Sequence, residues 1–171
     1  MSNTDIFSLA LSIEEPWFIE EVKFDGEGKR IDVHINFLKG SSFPSQREGY
    51  DEKYKVHETV EKKWRHLNFF EHDCYLHCRT PRIDLGSNKT EFISPPWAGN
   101  SSGFTLLFEA LVITLCQHMT VLAASRIVKE SDDKLWRLLR NYVSLAKEEE
   151  DYSNITSVGM DETSRSNLDF S

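Results

Sequence analysis

The hydrophobic pattern of this chain changes its period once, and that change limits the folds open to it. Residues 31–37 alternate apolar and polar side chains, which is the period of a strand with one buried face. From Phe104 onward, apolar residues recur every three or four positions, which is the period of an amphipathic helix. Between them lie Pro95, Pro96 and the glycine- and serine-containing run 99–103. The sequence therefore predicts an α+β chain with a boundary in this segment.

The part before the boundary, residues 1–98, is predicted to be a small β-rich module. Its turn chemistry and its alternation favour strands joined by short connections. The expected order is a hairpin from about 17 to 37, a surface loop over 39–52, and two extended segments at 54–66 and 69–80, the second ended by Pro81. The core is expected to be aromatic and to contain Trp17, Phe37, Trp64, Phe69, Phe70 and Trp97.

The part after the boundary, residues 104–147, is predicted to form three helices. The first starts after residues 101–103, and the second covers 120–128. Ser131 is expected to cap the third helix, with two acids in its first turn. The apolar stripe of the third helix is predicted to consist of Leu135, Trp136, Leu139, Tyr142 and Val143. On this prediction Trp136→Ala would unfold the helices.

Length and composition favour one domain or two small ones with a real core. The chain has 171 residues, of which 39% are hydrophobic and 28% are charged. Its net charge of −8 means that any binding to nucleic acid needs a local basic face. The three cysteines form no disulfide pattern, and the longest apolar stretch is too short for a membrane span. We therefore expect a cytoplasmic protein without a membrane partner.

A local basic face is predicted on the second and third helices. Between Thr120 and Lys147 six cations stand against three acids, which gives an excess of three positive charges. A short link between the last two of three helices is the layout of a helix-turn-helix DNA reader, although any three-helix bundle has the same period. A solvated helix face is the alternative explanation of the charges. The candidate DNA-binding residues are Arg126, Lys129, Lys134, Arg137, Arg140 and Asn141.

Zinc-ligand residue types cluster near the middle of the chain, but their spacing counts against a metal site. In an extended strand, His77 points to the face opposite Cys74 and Cys78. The two cysteines are then about 13 Å apart at roughly 3.3 Å per residue, too far for one ion or a disulfide. A partly buried structural role is the preferred interpretation of the cluster formed by His72, Cys74, His77 and Cys78.

Residues 148–171 are predicted to be an acidic tail with one strand at about 155–160. Asp161 and Glu162 follow that strand, where a magnesium-dependent nucleic-acid enzyme holds its metal. Adjacent carboxylates on a strand point to opposite sides and do not chelate one ion alone. We expect the tail to be mobile, because a single short strand buries too little apolar surface to offset the entropy of ordering it.

Five segments taken in order resemble the bacterial insertion-sequence transposases of the ISL-three group. They are WRHLNFFEHDCYLHCRTPRI at 64–83, PPWA at 95–98, GFTLLFEALV at 103–112, LWRLLRNYV at 135–143 and VGMDETS at 158–164. The resemblance implies an N-terminal zinc ribbon, a helix-turn-helix and the start of an RNase H-like catalytic domain. It also implies that Asp161 is the first catalytic carboxylate of a triad.

Two departures from the family pattern modify these expectations. Where the ribbon carries its cysteine pairs, this chain has Ser45 to Glu48 and Asp84 to Gly86, so the zinc is expected to be lost. The chain also ends ten residues after Asp161, so the triad is expected to be incomplete. We therefore expect no cofactor, with Mg²⁺ binding only in a full-length relative.

The function expected from the sequence is that of a truncated, transposase-like DNA-binding protein. It is expected to recognise the terminal inverted repeats of a transposon without transposition activity and to be nucleoid-associated when bound to DNA. Its expected partners are DNA and either a full-length transposase or further copies of itself. Two alternatives stay open: one part of a split transposase that cleaves and joins DNA, and a decayed reading frame without function.

Overall fold

Residues 17–92 form a six-stranded sheet in the computed structural model, which describes residues 3–101 and 103–149. A short helix precedes the sheet, and three helices follow it. The elements are α1 (Asn3–Ala10), β1 (Trp17–Asp25), β2 (Arg30–Phe37), β3 (Ser42–Pro44), β4 (Lys53–Phe69), β5 (His72–Gly86), β6 (Lys89–Phe92), α2 (Leu106–His118), α3 (Val121–Val128) and α4 (Asp132–Glu149). The architecture is α+β, as predicted.

The strand order is β1-β2-β5-β4-β3, with β6 paired to the later half of β5. The predicted hairpin of β1 and β2 is confirmed, and β4 and β5 form a second, longer antiparallel pair. β2 and β5 run parallel at the centre. One face of these two central strands is buried and contains Ile31, Val33, Ile35, Cys74, Leu76 and Cys78.

Aromatic rings close the buried face of the sheet. Trp17 contacts Phe37, Phe43 and Trp97, and Trp97 also contacts Trp64. The expected aromatic core is correct for these rings and wrong for Phe70, whose side chain is 97% exposed. Phe70 lies in the tight connection between β4 and β5 with a φ of 53°, and this backbone directs the ring into solvent.

Several elements differ from the sequence-based expectation. The loop predicted at 39–52 contains the short strand β3, and neither α1 nor β6 was predicted. Pro81 lies inside β5 and does not end it. Its missing N–H removes one donor from the ladder, while its carbonyl still accepts from the amide of Ile93 at 2.9 Å. The predicted strand at 155–160, Asp161 and Glu162 lie outside the described residues.

The positions of the ribbon cysteine pairs do not fit a zinc ion in this chain. Ser45 follows Phe43 and Pro44, and its hydroxyl donates to Glu91 at 2.5 Å. The amide of Gln46 donates to the same carboxylate at 3.2 Å. Glu91 lies on β6 and is the register partner of Ile83, so this polar contact links the first of the positions where the resemblance implies zinc ligands to the strand beside the second. These positions offer no thiolate or imidazole.

The helices are attached to the free edge of β4. The amide of Arg65 donates to the carbonyl of Gly103 at 2.8 Å, and the amide of Thr105 donates to the carbonyl of Arg65 at 3.0 Å. Thr105 also caps α2, where its hydroxyl accepts from the amide of Phe108. That hydroxyl also lies 2.8 Å from Nδ1 of His66, within hydrogen-bond distance. One threonine therefore links the sheet to the start of the helices.

This junction makes stability depend on pH. Burial, and then the neighbouring Arg65, lower the pKa of His66 from 6.5 to about 4. As the pH falls from 7 to 4, the unfolded chain takes up a proton that the folded chain excludes. We expect the free energy of unfolding to fall by roughly 3 kcal/mol over that range because of this residue.

Urea unfolding of the wild type and of His66→Gln between pH 7 and pH 4 measures this contribution. The carboxylates titrate in both proteins, so the difference between the two profiles isolates His66. The variant should lose less stability on acidification. Parallel profiles would show that the imidazole of His66 does not resist protonation in the folded chain.

Candidate nucleic-acid interface

The last two helices are joined by the three residues 129–131. Thr120 caps α3, since its hydroxyl accepts from the amide of Ala123 at 3.2 Å. α3 ends at Lys129, whose φ of 56° is in the left-handed region. Asp132 and Asp133 then open α4, where acids suit the positive end of the helix dipole. These local signals create two helices with a short turn, as a helix-turn-helix requires.

A separate hydrophobic cluster holds the three helices together. It contains Phe104, Phe108 and Val112 from the start of the segment and α2, Ala124 and Val128 from α3, and Leu135 and Leu138 from α4. Trp136 does not belong to it, because its side chain is 48% exposed. The predicted stripe is correct for Leu135, Leu139 and Tyr142 and wrong for Trp136 and for Val143, which is 53% exposed. It omitted Leu138, which is fully buried, and Trp136→Ala is no longer expected to unfold the helices.

Arg65 of β4 ties the turn between α3 and α4 to the sheet. Its side chain is 3% exposed, and its guanidinium lies 5.1 Å from the ring centre of Phe108. Its Nη1 donates to the carbonyls of His66 and Cys74, and its Nη2 donates to Asn68 and Asp73.

Two ion pairs connect residues of the sheet with the turn between α3 and α4. Nε of Arg65 is 3.9 Å from Glu130, and Lys129 is 3.7 Å from Asp73. The side chain of Glu130 is nearly buried at this contact and also pairs with Lys134 at 2.6 Å. These two pairs connect the turn, and with it the start of α4, to the sheet.

Glu109 fixes the middle of α4 to the loop before α2. Its buried carboxylate accepts from the amides of Asn100 at 3.0 Å and Ser101 at 2.6 Å. It also accepts from the hydroxyl of Tyr142 at 2.6 Å. Burial, followed by the hydrogen bond to Glu109, raises the pKa of Tyr142, which keeps that hydroxyl a donor. A β-carbon on Gly99 would lie 2.4 Å from this carboxylate, so glycine is required there.

The structure places the six candidate DNA-binding residues in three different situations. Lys129 and Lys134 are engaged by Asp73 and Glu130. Asn141 donates to the carbonyl of Asn100 at 3.1 Å, so its amide helps to hold the loop. The exposed cations without an ion pair among residues 3–101 and 103–149 include Arg126, Arg137 and Arg140.

The positioning residues of the interface were not predicted from the sequence. Arg65 gives no local signal of this role, because the helical groups that it contacts, Phe108 and Glu130, are distant in the chain. Glu109 did give a signal: it interrupts an otherwise apolar stretch from 104 to 116. A carboxylate inside an apolar helix face indicates either an exposed edge or a buried acceptor, and the structure shows the buried acceptor.

We expect Glu109→Gln to lower the free energy of unfolding by about 2 to 3 kcal/mol, because an amide cannot accept all three hydrogen bonds. Tyr142→Phe removes one of these bonds and should cost about 1 kcal/mol. Urea unfolding at neutral pH measures both. Equal stability of the wild type and Glu109→Gln would mean that the carboxylate does not hold the loop at 99–101 against α4.

Comparison with known proteins relates the helical part of the chain to one family. Residues 93–143 match the family model described as the helix-turn-helix domain of transposase family ISL3. The matched stretch contains α2 and α3 and extends into α4. No curated protein and no solved structure matches the chain significantly. The segment 93–143 is thus similar to a transposase helix-turn-helix domain, which points to a DNA-binding, transposase-related role.

Proposed function

We propose that this chain binds double-stranded DNA through α3 and α4, with α4 in the major groove. The observation that carries the proposal is the match of residues 93–143 to a transposase helix-turn-helix domain, together with the α3-turn-α4 arrangement. The sheet supports this role by fixing the turn through Arg65 and Glu130. A helix held at its start and at its middle presents its outer face in a defined orientation.

The charges of the interface support contact with the phosphate backbone. Arg137 and Arg140 lie three residues apart on α4 and therefore share a face. Arg126 of α3 is also exposed. In this proposal these three arginines make the first contacts, while Lys129 and Lys134 reach DNA only by exchanging their carboxylate partners for phosphates.

The proposed target is the terminal inverted repeat of a transposon, because the matched domain belongs to a transposase family. Helix-turn-helix proteins often bind paired half-sites as dimers, so a second copy of the chain or a full-length transposase is the proposed protein partner. The proposal assigns DNA binding to the described residues. The catalytic alternative depends on Asp161, which lies outside them, and takes no part in it.

None of the helices in residues 3–101 and 103–149 combines the length and the apolar character that a membrane span needs.

Replacement of Arg137 and Arg140 by alanine tests the proposed interface. A duplex selected from random sequences by the wild-type protein serves as the probe. Each lost phosphate contact should reduce the slope of log affinity against log salt by about one unit, so the double variant should lose about two. Fluorescence anisotropy over a salt series measures both affinity and slope.

Lys53→Ala/Lys55→Ala is the matched control, since it removes two exposed positive charges from β4. It should keep the affinity of the wild type. The proposal is wrong if the arginine variant binds as the wild type does, or if the two double variants weaken binding equally.

A further inference from the structure

Three side chains that are distant in sequence meet on the outer face of the sheet. His34 of β2 is the register partner of His77 of β5, and their rings stack at a centroid distance of 4.7 Å. Glu61 of β4 is paired with Arg79, two residues beyond His77 on the same face. One ligand atom from each of His34, Glu61 and His77 lies within 4.8 Å of the other two.

A carboxylate orients one of the imidazoles. Nε2 of His77 lies 2.6 Å from Oδ1 of Asp32. Arg30 holds Asp32 in turn, with Nε donating at 2.7 Å and Nη2 at 2.6 Å. Because Nε2 is engaged, Nδ1 is the nitrogen of His77 that is left for a metal. A histidine whose second nitrogen contacts a carboxylate is the usual support of a metal ligand.

Charged groups from all the neighbouring strands face this cluster. Glu20, at the β-bulge of β1, and Arg79 line the same hollow. Lys63 is the register partner of His77 and lies near the ring of Tyr75, while Glu21 is opposite His34 and pairs with Lys23. Acids and bases are mixed here, so the cluster is not a simple acidic patch.

We propose that His34, Glu61 and His77 bind one Zn²⁺ ion. Two imidazoles and one carboxylate are a zinc ligand set, with a fourth position for water. Bond lengths of about 2.0 to 2.2 Å require the ligand atoms to close to roughly 3.3 Å, so binding in this proposal includes rotation of these side chains from their present positions. The ion clamps β2, β4 and β5 together.

This site is distinct from the ribbon positions and shares only His77 with the cluster at 72–78. The expectation that the chain binds no zinc rested on those two regions alone. The present ligands come from three strands, and only His77 belongs to the earlier cluster. Cys74 and Cys78 point to the opposite, buried face and take no part.

Titration calorimetry of the chelator-treated full chain with ZnCl₂ tests the proposal. Every protein carries Cys116→Ser, which removes the partly exposed thiol as a competing ligand. The reference protein should bind one ion. Glu61→Gln, at an exposed position, should weaken binding at least tenfold, and Asp32→Asn should weaken it about 10- to 100-fold.

His57→Ala is the matched control, because His57 is exposed on β4 outside the cluster. It should bind zinc as the reference does. Zinc should also raise the melting temperature of the reference and not that of His34→Ala. Absence of saturable binding overturns the proposal, as does binding of unchanged affinity in Glu61→Gln. Equal weakening in His57→Ala would assign the ion to another place and overturn it as well.

Discussion

The guanidinium of Arg65 is buried between the sheet and the helices, and the arrangement of both depends on it. A buried charge is tolerated only when its donors are satisfied, and here two carbonyls, an amide oxygen and a carboxylate accept from it. The acceptors come from the β4–β5 pair, while Phe108 and Glu130 come from the helical side. Helices that moved away from the sheet would leave this charge partly unpaired.

Glu109 is a second buried charged group whose hydrogen bonds are satisfied, and it lies at the other end of the interface. Its carboxylate joins the loop at 99–101 to α4 through Tyr142, and Asn141 adds a bond to the same loop. Two buried charged groups of opposite sign thus hold α4 at its start and at its middle. Apolar packing alone would permit small rotations of the helix, whereas directional hydrogen bonds restrict them.

The sequence pattern predicted those elements of the fold that are determined by residues close together in the chain. The hairpin of β1 and β2 and the helical periods of α2 and α3 were predicted because neighbouring residues determine them, whereas the caps Thr105 and Thr120 were not predicted. α1 was missed because it depends on Phe7 packing against Phe24 and Phe69, which are remote in sequence. The cluster of His34, Glu61 and His77 was missed because strand pairing, and not spacing, brings its members together. Arg65 was missed because packing of the helices on the sheet brings Phe108 and Glu130 to it.

Because side chains alternate between the two faces of β5, Cys74 and Cys78 both lie on the buried face, and their reactivity can report separation of the strand from the sheet. Burial raises the pKa of the Cys74 and Cys78 thiols to about 12, so neither forms a reactive thiolate at neutral pH while the sheet is closed. Cys116 on α2 is partly exposed. An alkylating reagent should therefore react with Cys116 in the folded chain. It should react with the two strand cysteines only after β5 separates from its neighbours. The strand thiols are intrinsic reporters of that separation.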